Sequence, residues 1–280
     1  NLPKLFDQVR ISTLMSSLLI AQLPMYDWPE VREANDRLWR IVASECKNHG
    51  ISAPKDLDRS IETPQAWRSP NLFLSQTCGF PLVTQLRHQV TVLGSFSYAM
   101  ADQEGNYHSV IITHQNCPET LNQFKNKTLA INGYDSYSGY LAIKVLMTAR
   151  EMPTAFFKTV LVTGSHRESI HAVANGKADL AAIDCVSWHL ATNFERASNT
   201  LKIIATSPTR PGLPLVTAPN ASQTRVSILR DALRCGTKRL DNQSRDILGI
   251  TSFVAKTEND YGVIHDDLKS THSLPLSLVN

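Results

Sequence analysis

Four places in the sequence carry residue types that can hold or transform a small polar ligand. The first is Asn132-Gly133-Tyr134-Asp135-Ser136-Tyr137-Ser138-Gly139-Tyr140, which follows an apolar run and opens an amphipathic one. Two hydroxyls and a glycine at a helix start leave backbone N–H groups free beside the positive end of the helix dipole. Phosphate, phosphonate or carboxylate suits such a place through charge-assisted bonds. Helix caps use the same residue types, with Asp135 or Ser136 as the cap, and both readings stand at this point. The second place, Thr163-Gly164-Ser165-His166-Arg167-Glu168-Ser169, has the same form. Its His166 and Ser165 meet the first segment if the two preceding strands are neighbours in one sheet, and are otherwise a surface histidine and an N-cap.

The third place is Asp184-Cys185 with Trp188, after the apolar run 179–183. Asp184 either orients a ligand group or caps the next helix, and the cap has the better claim. Cys185 with His166 or His189 has the elements of a nucleophile and base, but no glycine-rich nucleophile elbow surrounds it. The fourth is a pair of turns, Pro24-Met25-Tyr26-Asp27-Trp28 and Thr77-Cys78-Gly79-Phe80-Pro81. There Tyr26 and Phe80 either stack on an organic ligand or pack at strand ends. Walker A, GxGxxG, HExxH and EF-hand patterns are absent from the sequence.

The elements that position these residues alternate. Strands are expected at 17–23, 71–77, 90–96, 128–132, 159–163, 179–183, 201–206 and 213–217. Helices are expected at 28–48, 81–87, 138–150, 167–175, 186–193 and 222–234, with Pro29 in the first turn of one and Ser222 as the N-cap of the last. The arms SFSYAM and YHSVIITH around Asp102–Asn106 predict an antiparallel hairpin. Strands separated by helices imply parallel pairing and sheets covered on both faces, with ligands at the carboxyl ends of the strands. The pattern gives two α/β lobes, the second inserted into the first. It weakens after Gly249, and the last dozen residues read as a frayed tail.

The 280-residue length suits two lobes, and 42% hydrophobic with 19% charged residues is the balance of a globular protein with a real core. A net charge of +3 without a Lys/Arg run gives no support to nucleic-acid binding. Five scattered cysteines with no CxxC argue against a disulfide framework or zinc site and for free thiols. The run Leu14–Leu23 looks like a signal peptide but lacks a small-x-small cleavage site and reads as a first buried strand. The chain is expected to be soluble, with any export signal removed or absent.

From about Ser17 to Leu240 the sequence resembles the phosphate/phosphite/phosphonate substrate-binding proteins of ABC importers. The resemblance rests on LLIAQLPMYDWPE (18–30), LFLSQTCGFPL (72–82), GNYHSVIITH (105–114), DSYSGY (135–140) and TGSHRESIHAVANGKADLAAIDCVSW (163–188). It implies the type 2 periplasmic binding protein fold, with lobe one over 16–98 and 206–250, lobe two over 99–205 and a C-terminal extension over 251–280. It also implies hinges near Ser95–Met100 and Thr206–Arg210. Mapped residue by residue, Ser136, Ser138 and Gly139 with the Tyr140 amide grip the oxyanion and His166 assists, while Tyr26, Phe80, Asp184 and Trp188 shape the rest. The departure is at the tail, where only Asp184 stands for the acidic residues that relatives place around an aminoalkyl group. The expectation is a monomeric periplasmic binding protein without metal or cofactor, closing on a small oxyanion and delivering it to a permease. The rival classes are a cytoplasmic ligand sensor and an enzyme on the same fold, such as a pyrimidine-precursor synthase.

Overall fold

A computed structural model describes residues 19–271 and 275–277. The expected first strand forms at Ile20–Ala21 (β1), and Ser17 and Leu18 of that expectation lie outside the described residues. Pro29–Val31 makes one tight turn, from which helix α1 (Arg32–Asn48) runs with Ala34, Leu38, Trp39, Val42 and Cys46 buried along one stripe. Helix α2 (Thr63–Trp67), strand β2 (Leu72–Gln76), helix α3 (Gly79–Thr84) and strand β3 (Thr91–Tyr98) complete the first pass.

The chain then crosses. A two-residue strand β4 (Asn106–Tyr107) leads into β5 (Ser109–His114), β6 (Thr128–Ile131), α4 (Ala142–Ala149), β7 (Thr159–Val162), α5 (His166–Ala174), β8 (Leu180–Asp184), α6 (Cys185–Phe194) and β9 (Leu201–Thr206). It returns through β10 (Arg210–Pro211) to β11 (Leu215–Thr217), α7 (Gln223–Arg239), α8 (Asn242–Leu248), β12 (Ile250–Ala255) and α9 (Gly262–Thr271).

Two five-stranded sheets result, in the orders β1-β2-β11-β3-β12 and β7-β6-β8-β5-β9, with β4 and β10 forming a small ribbon between them. Parallel pairing occurs where a helix separates the strands, at β1-β2, β6-β7 and β6-β8. β11 and β12 enter the first sheet antiparallel, and β5 lies antiparallel between β8 and β9. The hairpin expected over Ser95–His114 does not form. Its first arm, β3, pairs with β11 and β12, while the second, β5, belongs to the other sheet, so the polar turn at 102–106 is a passage between sheets. Alternation showed that both arms are extended, but it carries no information about partners.

The C-terminal extension expected from residue 251 contributes several side chains to the core. Phe253 of β12 packs against Phe96, and Tyr261 and Ile264 are fully buried. Helix α9 packs on α3 and α4, and beyond it Leu276 is buried while Phe157 and Ser277 form a bridge. The six-residue strand Ile-Thr-Ser-Phe-Val-Ala alternates too weakly to announce itself, and tertiary pairing defines it. On the outer side of the first sheet α1 packs on α7. A Cβ at Gly236 would stand 2.6 Å from Val42 Cγ2, so the missing side chain sets the closeness of the two helices. All five cysteines are free thiols, Cys46 and Cys185 among the buried ones, and among the described residues no helix is long and apolar enough to cross a membrane.

Candidate ligand-binding site

Strands β6 and β7 are parallel neighbours, and the bond from Gly164 N to Asn132 O (2.8 Å) carries their pairing past the strand ends. The two hydroxyl-rich junctions are therefore side by side, which meets the condition that the sequence reading left open. After β6 the chain enters a single wide turn, Tyr137–Leu141, before α4 begins. Ser136 caps it, its Oγ accepting from Gly139 N at 3.0 Å. A Cβ on Gly139 would lie 2.6 Å from Asn132 Cγ, so only glycine lets the Asn132 side chain lie against this turn. At the neighbouring junction Ser165 caps α5 by accepting from Glu168 N (3.1 Å), which places His166 and Arg167 in its first turn. The third junction is capped by Asp184, whose Oδ1 accepts from Val186 N (3.0 Å) and Ser187 N (2.8 Å).

These three helix starts converge on one imidazole. His166 Nε2 lies 2.8 Å from Ser138 Oγ and 2.9 Å from Asp184 Oδ2, which also accepts from Ser187 Oγ at 2.8 Å. Asp184 is buried, which pushes its carboxyl up. The His166 ring and the Ser187 N–H and O–H outweigh that and hold it below the usual carboxylate range. An ionised carboxylate only accepts, so Nε2 carries the hydrogen it shares with Asp184. Ser138 then cannot donate to that nitrogen, and its hydroxyl hydrogen is left for another acceptor. Ser136 is in the same position, since its oxygen accepts from Gly139 and its hydrogen stays free. Asn132 accepts from Ser169 Oγ with its Oδ1 (3.2 Å), which leaves its amide N–H groups. The backbone is fixed from behind by Ser109 Oγ, which donates to Ser138 O at 2.9 Å.

Asn132, Ser136, Ser138, His166, Asp184 and Ser187 all border a cavity of about 440 Å³ between the two sheets. Its second-sheet wall is Asn132, Ser136, Ser138, Gly164, Ser165, His166, Arg167, Asp184 and Ser187. Its first-sheet wall is Pro24, Met25, Tyr26, Asp27, Trp28, Pro29, Cys78 and Leu213. Two contacts join the walls. Arg167 forks onto Glu30 (Nη2–Oε1 2.8 Å), ion-pairs with Glu195 and lies 4.6 Å over the Trp28 ring; Tyr137 N donates to Cys78 Sγ (3.4 Å). Beneath, Tyr137 Oη donates to Asp267 (2.8 Å), which also takes Arg210 in a fork at 2.6 and 2.7 Å, so α9 braces the turn that carries Ser136 and Ser138.

Five of the nine residues singled out from the sequence therefore line the cavity: Tyr26, Ser136, Ser138, His166 and Asp184. The other four do not. The Gly139 amide is consumed by the Ser136 cap, Tyr140 packs edge-on against Tyr134 (5.2 Å), Phe80 packs on the first core, and Trp188, one turn into α6, packs on the second. Asn132, Arg167 and Ser187 were missed. Ser187 follows from the N-cap rule, three positions after Asp184. The roles of Asn132 and Arg167 depend on partners distant in sequence. Tyr107 lies behind the Ser138 turn, outside the cavity lining. It packs 6.4 Å from Tyr137, and burial drives its pKa well above the usual 10.

Two sheets joined by paired crossings, with helix starts facing a cavity between them, define a two-lobed binding clamp of the type 2 periplasmic binding class. Solved structures agree. The chain superposes on PhnD1 from Prochlorococcus marinus in complex with methylphosphonate with a TM-score of 0.70 at 16% identity, covering 93% of this chain and 100% of that one. A binding protein component of an ABC phosphonate transporter from Pseudomonas aeruginosa gives 0.63 at 20% identity, with 84% and 81% covered. The periplasmic aliphatic sulphonate binding protein SsuA from Escherichia coli gives 0.60 at 10%, with 86% and 87% covered. No curated protein matches the sequence. Residues 74–261 match the family model for the phosphonate periplasmic substrate-binding protein of ABC transporters, and the chain belongs to that family. Its role is substrate binding, for a small molecule handed to a membrane permease.

Proposed function

We propose that the chain captures a small phosphorus oxyanion between its two lobes and releases it chemically unchanged to its permease. The observation that carries this reading is the pair of serine hydroxyls, Ser136 and Ser138, whose oxygens are already bonded and whose hydrogens remain to be given to an acceptor in the cavity. Asn132 adds amide donors beside them. The lobes follow the sheets. Residues 99–205 form the inserted lobe two, and the strands before and after it form lobe one. The hinge lies at the crossings near Ser95–Met100 and Thr206–Arg210, beside which the two passages are stitched by Ser207 N to Ser109 O (2.8 Å) and Gly212 N to Gly105 O (2.9 Å). Closure brings the Tyr26–Trp28 turn onto the ligand, and Arg167 with Glu30 holds the rim. The protein works as a monomer in the periplasm, the compartment of its family.

The site also opposes the enzymatic alternative. A Ser-His-Asp relay needs the carboxylate on Nδ1 and the serine on Nε2, whereas here both sit on Nε2 and Nδ1 has no partner. The Cys185 thiol, buried and next to Asp184, is pushed up to about 12, so it holds no thiolate at neutral pH. The test is calorimetry and thermal shift with phosphate, phosphite, methylphosphonate, a sulfonate, a carboxylate and a neutral control. A phosphorus oxyanion at 100 times its dissociation constant adds about 2.7 kcal/mol. The shift disappears in Ser138→Ala, and ³¹P spectra show the ligand intact. Stabilisation by a neutral or cationic compound alone refutes the anion site.

A further inference from the structure

The two cavity walls differ in chemistry. The donors of Asn132, Ser136, Ser138 and His166 come from the second sheet, while the opposing wall of Pro24, Met25, Tyr26, Trp28 and Leu213 is mostly hydrocarbon and aromatic surface, its polar side-chain groups being the Tyr26 hydroxyl, the Trp28 indole N–H, the Asp27 carboxylate and the Cys78 thiol. The cavity, about 440 Å³, is several times the size of an inorganic oxyanion. Its two carboxylates decide what the remaining space accepts, and both are fully engaged. Asp184 takes two backbone N–H groups on one oxygen and the Ser187 hydroxyl and His166 on the other. Asp27 is forked by Arg59 at 2.6 and 3.0 Å, and takes Asn35 at 3.1 Å and Arg32 at 3.4 Å. At the rim, Glu30 is held by Arg167. A ligand ammonium entering the cavity would lose its water and find no carboxylate with a lone pair to spare. An unpaired charge in such a place costs several kcal/mol.

From this we infer the substrate class, resting on the oxyanion reading above: a phosphonate or phosphate monoester whose organic group is uncharged and apolar, excluding aminoalkylphosphonates. The head binds at Ser136 and Ser138 and the tail lies along Tyr26 and Trp28. This also separates the ligand from bare phosphate, which leaves the apolar wall uncovered.

The test compares near-isosteric ligands by calorimetry on the intact protein, n-propylphosphonate against 2-aminoethylphosphonate, with inorganic phosphate beside them. The propyl compound binds roughly thirtyfold more tightly than the aminoethyl compound, and several-fold more tightly than phosphate. In Met25→Glu, which places a carboxylate on the apolar wall, the ratio of the two phosphonates falls at least tenfold. Equal or tighter binding of 2-aminoethylphosphonate to the unaltered protein overturns the substrate class and leaves the oxyanion site standing. Failure of all three to bind overturns the oxyanion site itself, and the substrate class with it.

Discussion

Replacing Asp184 by asparagine tests the reasoning at its centre. The carboxylate accepts four hydrogen bonds at 2.8–3.0 Å and is almost fully buried. Asparagine keeps an oxygen for the Val186 and Ser187 amides but turns a donor toward Ser187 Oγ and His166 Nε2. The hydroxyl can rotate away, whereas the imidazole must change tautomer or lose its partner. One charge-assisted bond of about 1.5–3 kcal/mol is lost, and part of a second, so the expected destabilisation is about 2–4 kcal/mol at pH 7. For a chain of this size that lowers Tm by roughly 5–12 °C. The pH dependence gives a second reading. The carboxyl is held below its ordinary value in the folded state, so the unfolded chain binds the proton more readily. Its contribution is complete above the unfolded value of about 3.9 and is lost as pH falls through the lower folded value. Urea denaturation from about pH 3 to 8 therefore shows a constant gap between parent and variant above about pH 5, closing only at the acid end. A gap below about 0.5 kcal/mol at pH 7, or one that widens on acidification, refutes the account.

Three further outcomes follow from the geometry. Arg167→Gln removes the fork to Glu30 across the cleft rim, so ligand release in stopped flow accelerates about fivefold, and Glu30→Gln added to it contributes little more. Gly139→Ala forces the Asn132 side chain away, weakening phosphonate binding in calorimetry by about tenfold. Asp267→Asn leaves Arg210 and Tyr137 short of an acceptor beneath the binding turn, and costs about 2–3 kcal/mol in chemical denaturation, whereas Tyr137→Phe costs about 1.

The local logic of the site was legible because capping is a short-range rule. Ser136, Ser165 and Asp184 were readable as helix caps from the residues around them, and all three cap. That the junctions after β6 and β7 could meet was readable as a condition, neighbouring parallel strands, which the order of strands and helices favours and the β6-β7 pairing fulfils. Pairings over long separations were not legible. Nothing in Leu215–Thr217 states that it will lie antiparallel between β2 and β3, and the extended arms around Asp102–Asn106 fit a hairpin as well as they fit a crossing. The contributions of Asp267, Asn132 and Arg167 were hidden for the same reason. Each acts through a partner that only the folded chain brings near.

The strand order of the first sheet has a consequence for how the molecule comes into being. β11 is hydrogen-bonded between β2 and β3, yet it leaves the ribosome about 140 residues after β2. Until it arrives, β2 and β3 face an unfilled slot with open edges, whereas every strand of the second sheet comes from one uninterrupted stretch, Ser109–Thr206. The second sheet can therefore pair during synthesis, but the first waits for the end of the chain, where β12 completes it and α9 braces the turn after β6. A nascent chain that stalls before Leu215 carries the Ser136–Ser138 turn without the Asp267 brace beneath it, and two unpaired strand edges open to misassociation.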